Sequence, residues 1–144
     1  MIIAIDFDGT CVTQAFPDVG ETLPGAVRVL RQLVAEGHQL ILWTVRNNSE
    51  GEVITGDPSN LKIGGNYLDA AVQWFVDNDI ELWGANENPN QSTWSKSPKV
   101  YVDLYIDDRA LGAPLYKFPG VISCIDWGRV EEILVRDGIL KDFT

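Results

Sequence analysis

The sequence predicts a single α/β domain built on a mainly parallel sheet of five strands. Three observations predict it. Short apolar runs suited to strands buried on both faces alternate with amphipathic helical stretches. Two of these runs end in paired acids, Asp6 with Asp8 and Asp107 with Asp108. No linker or internal repeat divides the 144 residues, which suffice for one hydrophobic core.

The elements follow in order. Ile2 to Ile5 is the first strand, and it runs into Asp6-Phe7-Asp8-Gly9-Thr10. Cys11 to Leu23 is a loop by its Pro, Asp and Gly content. Pro24 opens a helix whose apolar stripe is Val27, Leu30, Leu33 and Val34, and Gly37 ends it as a left-handed cap. The apolar run from Gln39 is the second strand; it ends in Thr44, with Arg46 just beyond. Between Asn47 and Gly65, Val53-Ile54-Thr55 and Leu61-Lys62-Ile63 flank a five-residue turn, which predicts a hairpin or flap insertion over about 47–65; a loop is the competing reading.

Asn66 is placed to cap a second helix, with Leu68, Ala71, Val72, Phe75 and Val76 on its inner face. Ile80 to Trp83 is a short third strand, and a polar Asn-, Pro- and Ser-rich loop over 84–98 follows. Val100 to Ile106 is the fourth strand and Val121 to Ile125 the fifth. Asp126 caps a last helix that faces inward through Val130, Ile133 and Leu134.

Composition narrows the function. With 45% hydrophobic and 22% charged residues the chain is globular. No apolar run approaches the roughly 18 residues of a membrane span, and nothing at the N-terminus resembles a signal peptide, so a cytoplasmic protein is the expectation. A net charge of −10 argues against a nucleic-acid partner. It leaves room for a phosphorylated substrate, because a bound cation reverses the local field. Cys11 and Cys124 lack metal-ligand spacing and read as reduced, packed thiols.

In an extended segment Asp6 and Asp8 point to one side. Two acids at the mouth of a buried strand resist desolvation unless a cation or proton lies between them. Ligands of open α/β sheets bind beyond the carboxyl ends of the strands. There the chain brings Asp6, Asp8, Thr44, Asp107 and Asp108, with Lys99 in reach if the loop before it folds back. Oxygen donors without His or Cys point to a hard cation, Mg²⁺ above all. A carboxylate nucleophile, a hydroxyl and a lysine suit phosphoryl transfer.

These residues resemble the haloacid dehalogenase superfamily. Ala4-Ile5-Asp6-Phe7-Asp8-Gly9-Thr10 is similar to its Asp-x-Asp-x-Thr motif, and Leu42-Trp43-Thr44 to its strand ending in Thr or Ser. Lys99 stands for its lysine, with Lys96 as competitor. Tyr105-Ile106-Asp107-Asp108 is similar to its last acidic motif. The four landmarks come in the family's order and cover most of the chain.

The resemblance implies a Rossmann-like sheet in the order 5-4-1-2-3, with helices on both faces. It implies a phosphatase in which Asp6 is the nucleophile and Asp8 the proton shuttle. Thr44 and Lys99 would hold the phosphoryl group. Mg²⁺ would sit on Asp6, the backbone carbonyl of Asp8 and Asp107, with Asp108 touching it directly or through water. Arg46 would either grip a substrate anion or pair with a surface acid.

Neither 11–23 nor 84–98 is long enough for the family's cap domain. The resemblance therefore implies an open site, suited to small or large phosphorylated substrates, with specificity from the 47–65 flap, the 84–98 loop or a second subunit of a homo-oligomer. A phosphotransferase would use the same residues. A receiver-like phosphoacceptor, whose acids are adjacent at strand one, fits the order poorly. An idle binding protein on the same fold has no reason to keep the acid cluster. His38, at a helix end, and Trp94, in the loop before Lys99, read as structural.

Overall fold

The computed structural model describes residues 1–49, 65–117 and 122–142. The elements are β1 (Ile2–Ile5), α1 (Ala26–Ala35), β2 (Gln39–Leu42), β3 (Asn48–Ser49), β4 (Gly65–Asn66), α2 (Tyr67–Asp77), β5 (Gly84–Ala85), β6 (Leu104–Ile106), β7 (Leu115–Tyr116), β8 (Cys124–Ile125) and α3 (Trp127–Arg136), with a 3₁₀ turn at Gln91–Thr93. The main sheet has four parallel strands in the order β5-β2-β1-β6. Among the described residues, the fifth strand is not part of it. Cys124–Ile125 pairs antiparallel with Leu115–Tyr116 in a separate ribbon. From there the Ile125 N–H donates to the Gly9 carbonyl at 2.9 Å, so this ribbon props the first acidic loop rather than extending the sheet.

Helices on both faces were expected; the described helices all lie on one. Ile3, Ile5, Leu40, Leu42 and Ile106 form a single core with Leu30 and Leu33 of α1, Trp74 and Phe75 of α2, and Trp127 and Leu134 of α3. Chain direction explains this. The path β1-α1-β2-α2-β5 crosses the sheet one way, so right-handed crossovers put α1 and α2 on the same face. The chain then returns past β1 to β6, and the same handedness sends that connection across the opposite face. Its polar Asn-, Pro- and Ser-rich sequence has no apolar stripe to fold as an amphipathic helix. It forms the 3₁₀ turn and a loop instead, and buries Val100 against Ala4 and Ile41 with Trp43 and Trp83 beside them. Buried Gln91 pins the loop: its amide donates to the Ser97 and Lys99 carbonyls at 3.3 and 2.8 Å and its oxygen accepts from Tyr101 N–H at 2.7 Å.

Several local expectations hold and several shift. Gly37 has φ 93° and terminates α1 as a Schellman turn, with His38 N–H on the Leu33 carbonyl and Gly37 N–H on that of Val34. Asp126 caps α3 by accepting from Arg129 N–H. Asn66 makes no side-chain cap on α2. That role falls to Asn48, whose oxygen accepts from Asp69 N–H at 3.1 Å while its amide donates to the Asp69 carboxylate at 2.9 Å. Trp74 takes the inner face of α2, and Val76 is largely exposed. The third strand falls just past the expected Ile80–Trp83, at Gly84–Ala85, and the fourth is confined to Leu104–Ile106. The base of the expected flap is present, since β3 and β4 pair antiparallel; its two β-prone triplets lie outside the described residues.

Candidate active site

The site is assembled where β1 and β6 end. Asp6 N–H donates to the Ile106 carbonyl at 3.0 Å, which carries the ladder one residue past β1 and sets Asp6 beside Asp107. The chain then turns tightly: Thr10 and Cys11 N–H both reach the Phe7 carbonyl. Gly9 at φ 81° is required here, because a side chain at that φ is strained and a Cβ would lie 2.5 Å from Asp108 Oδ2 and overlap Gln14. The turn brings Thr10 under the acids. Its hydroxyl oxygen lies 3.2 Å from Asp6 Oδ2 and 3.1 Å from Asp108 Oδ1, and it accepts from Asp108 N–H at 3.1 Å. Gln14 donates to the other oxygen of Asp108 at 3.0 Å. Beneath, the Trp127 indole N–H donates to the Thr10 carbonyl at 2.6 Å, tying α3 to the turn.

Asp6, Asp107 and Asp108 each offer a carboxylate oxygen, and these oxygens lie within 4.8 Å of one another. Asp6 is pushed up to about 8 from its ordinary 3.8, first by burial, then by its contact with Asp108 and the charge of Asp107; the Phe7 N–H works the other way. Three carboxylates this close resist sharing full negative charge. A hard divalent cation fits this donor set: the ligands are all oxygen, and the cation's charge offsets the crowding. Cys11, fully buried behind them, donates weakly to the Asp6 carbonyl, and its thiol is raised by burial and by the charges of Asp6 and Asp8.

Asp8 is held apart from this triad. Both its oxygens accept from Arg46, at 2.8 Å from Nε and 2.7 Å from Nη2. The remaining guanidinium N–H groups donate to the carbonyls of Pro17, Asp18 and Tyr67. The side chain is fully buried, and its cation lies 5.1 Å from the ring centres of both Phe7 and Phe16. Arg46 thus pairs with an acid of the candidate site itself, where the sequence reading offered a substrate anion or a surface acid.

Thr44 follows β2, and its loop is fastened by Asn86, just after β5. Asn86 Oδ1 accepts from Thr44 N–H at 2.8 Å and its amide donates to the Arg46 carbonyl at 3.0 Å, while the Thr44 hydroxyl accepts from Arg46 N–H at 3.1 Å. The lysines part company. Lys99 lines a cavity of about 340 Å³ with Trp94, Tyr101 and Tyr105 and forms no ion pair with the acids. Lys96 lines a different one, of about 330 Å³, with Trp43 and Asn86, the neighbours of Thr44. Asp103 sits at the far end of the sheet, accepting from Ile2 N–H at 2.7 Å. His38 is there too, between the Met1 ammonium and the Ile139 carbonyl.

Sequence reasoning did not single out Thr10, Gln14, Asn86 or Trp127 as parts of the site. Thr10 stood within the quoted motif and carried the clearest signal. Asn86 has φ 56°, a left-handed conformation that Asn adopts more readily than most residues, which an Asn after a short strand hints at. Gln14 and Trp127 reach the site only through tertiary contacts and had no local signal.

No family model matches the chain, and no curated protein does. A solved structure of a conserved protein from Bacteroides thetaiotaomicron matches it with 36% identity and a TM-score of 0.65, over 96% of this chain and 91% of that one. At that identity and coverage, the chain belongs to the family of the conserved Bacteroides thetaiotaomicron protein.

Proposed function

We propose that the protein is a Mg²⁺-dependent phosphatase of the haloacid dehalogenase type, acting through an aspartyl-phosphate. The observation that carries this reading is the convergence of Asp6, Asp107 and Asp108 at the carboxyl end of the sheet, with Asp8 oriented separately by Arg46. One acid cluster and one independently held carboxylate match a division of labour between nucleophile and proton shuttle.

Asp6, Asp107 and Asp108 would hold the cation. Bound there, it supplies the positive charge that keeps Asp6 ionised and offsets the charge of the transferring phosphoryl group. Asp6 attacks phosphorus, and the bond to the leaving oxygen breaks. Asp8 protonates that oxygen, which requires one of its oxygens to leave Arg46 and take up a proton first; as a carboxylate again it takes one from the water that cleaves the acyl phosphate and regenerates Asp6. Arg46 orients Asp8 and does not itself touch substrate. Thr44 and a lysine hold the phosphoryl oxygens. We assign the lysine to Lys96 in preference to Lys99, because Lys96 shares its cavity with Trp43 and Asn86.

Phosphate release from an aryl phosphate tests the reading. Turnover is expected with Mg²⁺, lost on chelation, and lost in Asp6→Asn. Activity indifferent to chelator would overturn the metal assignment.

A further inference from the structure

The cavity of about 330 Å³ that Trp43 and Asn86 line supplies Lys96 to the phosphoryl group in the reading above, and the rest of its lining is left for another part of a ligand. Trp43 N–H donates to the Ile5 carbonyl at 2.8 Å, so the β1–β2 register continues one step and sets Trp43 alongside Asp6. Alternation along the strands turns both side chains to the face crossed by the 86–103 connection. Asn86, which fastens Thr44, forms part of the cavity wall. A group esterified to a phosphoryl at Asp6 and Thr44 has this cavity to extend into.

The lining states what that group must offer. The Asn86 carboxamide is engaged by Thr44 and Arg46. The groups left to a ligand are the hydroxyls of Ser92, Ser95 and Ser97 and the Glu87 carboxylate, which line the cavity together with Trp43. Among the described residues, Glu87 and Lys96 have no ion-pair partner, and neither they nor the Ser92 side chain is hydrogen-bonded. Three hydroxyl donors and a carboxylate acceptor in a cavity that Trp43 also lines suit a group that both gives and takes hydrogen bonds and carries C–H groups to set against an aromatic side chain. Hydroxyls on a saturated ring or chain do this. A second anion would meet Glu87 and the chain's net charge of −10, and an apolar group would leave the polar lining unpaired.

We propose that this cavity binds the polyhydroxylated part of a phosphorylated sugar or polyol. This deepens the phosphatase reading and rests on it for the placement of the phosphate.

The test is binding, read from the assigned indole N–H resonance of Trp43 in Asp6→Asn protein with Mg²⁺. Glucose 6-phosphate, phenyl phosphate and adenosine monophosphate are titrated separately. Glucose 6-phosphate is expected to shift Trp43 saturably and to bind about tenfold or more tighter than phenyl phosphate. Adding Glu87→Gln or Ser92→Ala should bring that ratio to about twofold or less while leaving phenyl phosphate affinity unchanged. Adding Trp94→Ala, in the other cavity, should change neither. Equal binding of the sugar and aryl phosphates, or a ratio indifferent to both lining variants, overturns the proposal. Tighter binding of adenosine monophosphate than of glucose 6-phosphate overturns it in favour of a nucleobase. Should the wild-type protein release no phosphate from any ester, the phosphatase reading fails, and the Trp43 titration still decides what the cavity binds.

Discussion

Arg46 meets both carboxylate oxygens of Asp8, at 2.8 and 2.7 Å, with its guanidinium buried between the rings of Phe7 and Phe16. The pair does more than orient Asp8. Through the carbonyls of Pro17, Asp18 and Tyr67, Arg46 joins the loop after β1 to the start of α2. Arg46→Met leaves Asp8 and three carbonyls without their donors. A destabilisation of about 3–5 kcal/mol in urea is expected, the cost of breaking a buried pair by removing one partner. Arg46→Lys should recover less than half of it, because one ammonium cannot reproduce the planar five-donor fork. A loss below about 1 kcal/mol for Arg46→Met would contradict the structural role.

The acid triad predicts an unusual pH dependence without metal. Asp6 is raised in the folded state to about 8 from 3.8. Between those values the unfolded chain has released its proton while the folded one retains it. The unfolded state therefore binds fewer protons, and this group's contribution to stability falls as pH rises from about 4 to 8. Asp6→Asn removes the penalty. The metal-free variant should exceed wild type by on the order of 1–3 kcal/mol at pH 8, with the difference vanishing near pH 4. Equal pH profiles for the two proteins would argue against the crowding.

Magnesium should reverse that penalty. At about 100 times its dissociation constant it should add about 2.7 kcal/mol of stability. The effect should grow as pH rises toward 8, because binding displaces the Asp6 proton, and it should be lost in Asp107→Asn and Asp108→Asn. Thermal melts at fixed pH with increasing Mg²⁺ measure it. Undiminished stabilisation of both variants would place the cation elsewhere.

Asn86 separates geometry from hydrogen bonding. At φ 56° it accepts from Thr44 N–H and donates to the Arg46 carbonyl. Asn86→Gly keeps the backbone relaxed and loses both bonds; Asn86→Ala loses the bonds and adds left-handed strain. Alanine should therefore be the worse by about 1 kcal/mol in chemical denaturation, and both should lower phosphate release by freeing Thr44. Equal stability of the two variants would mean that the strain is relieved locally.

The legible parts of this chain were those fixed by local pattern. Ile2 to Ile5 and Leu40 to Leu42 could only be buried strands, and the acids at 6 and at 107–108 were bound to meet once β1 and β6 paired in parallel. Asp126 and Gly37 carried their capping roles in their identities. The second face of the sheet was not legible. Handedness dictates that a connection must cross it, and 84–98 reads locally as a loop, but nothing local says that this loop would cover the face and bury Val100 against Ala4 and Ile41. Cys124–Ile125 was apolar and strand-like, and only tertiary contact turned it to Leu115–Tyr116 rather than to the sheet. The partner of Arg46 was likewise open, since Asp8 lies 38 residues away.

The central claim is that Asp6 carries the phosphoryl group. A single turnover with an isotopically labelled phosphoryl donor and Mg²⁺, quenched in acid and mapped by peptide mass spectrometry, tests it most directly. Label on Asp6, absent from Asp6→Asn and chased to free phosphate in the unquenched protein, is the predicted result. Phosphate release with no label on Asp6, or with label on another side chain, would contradict it.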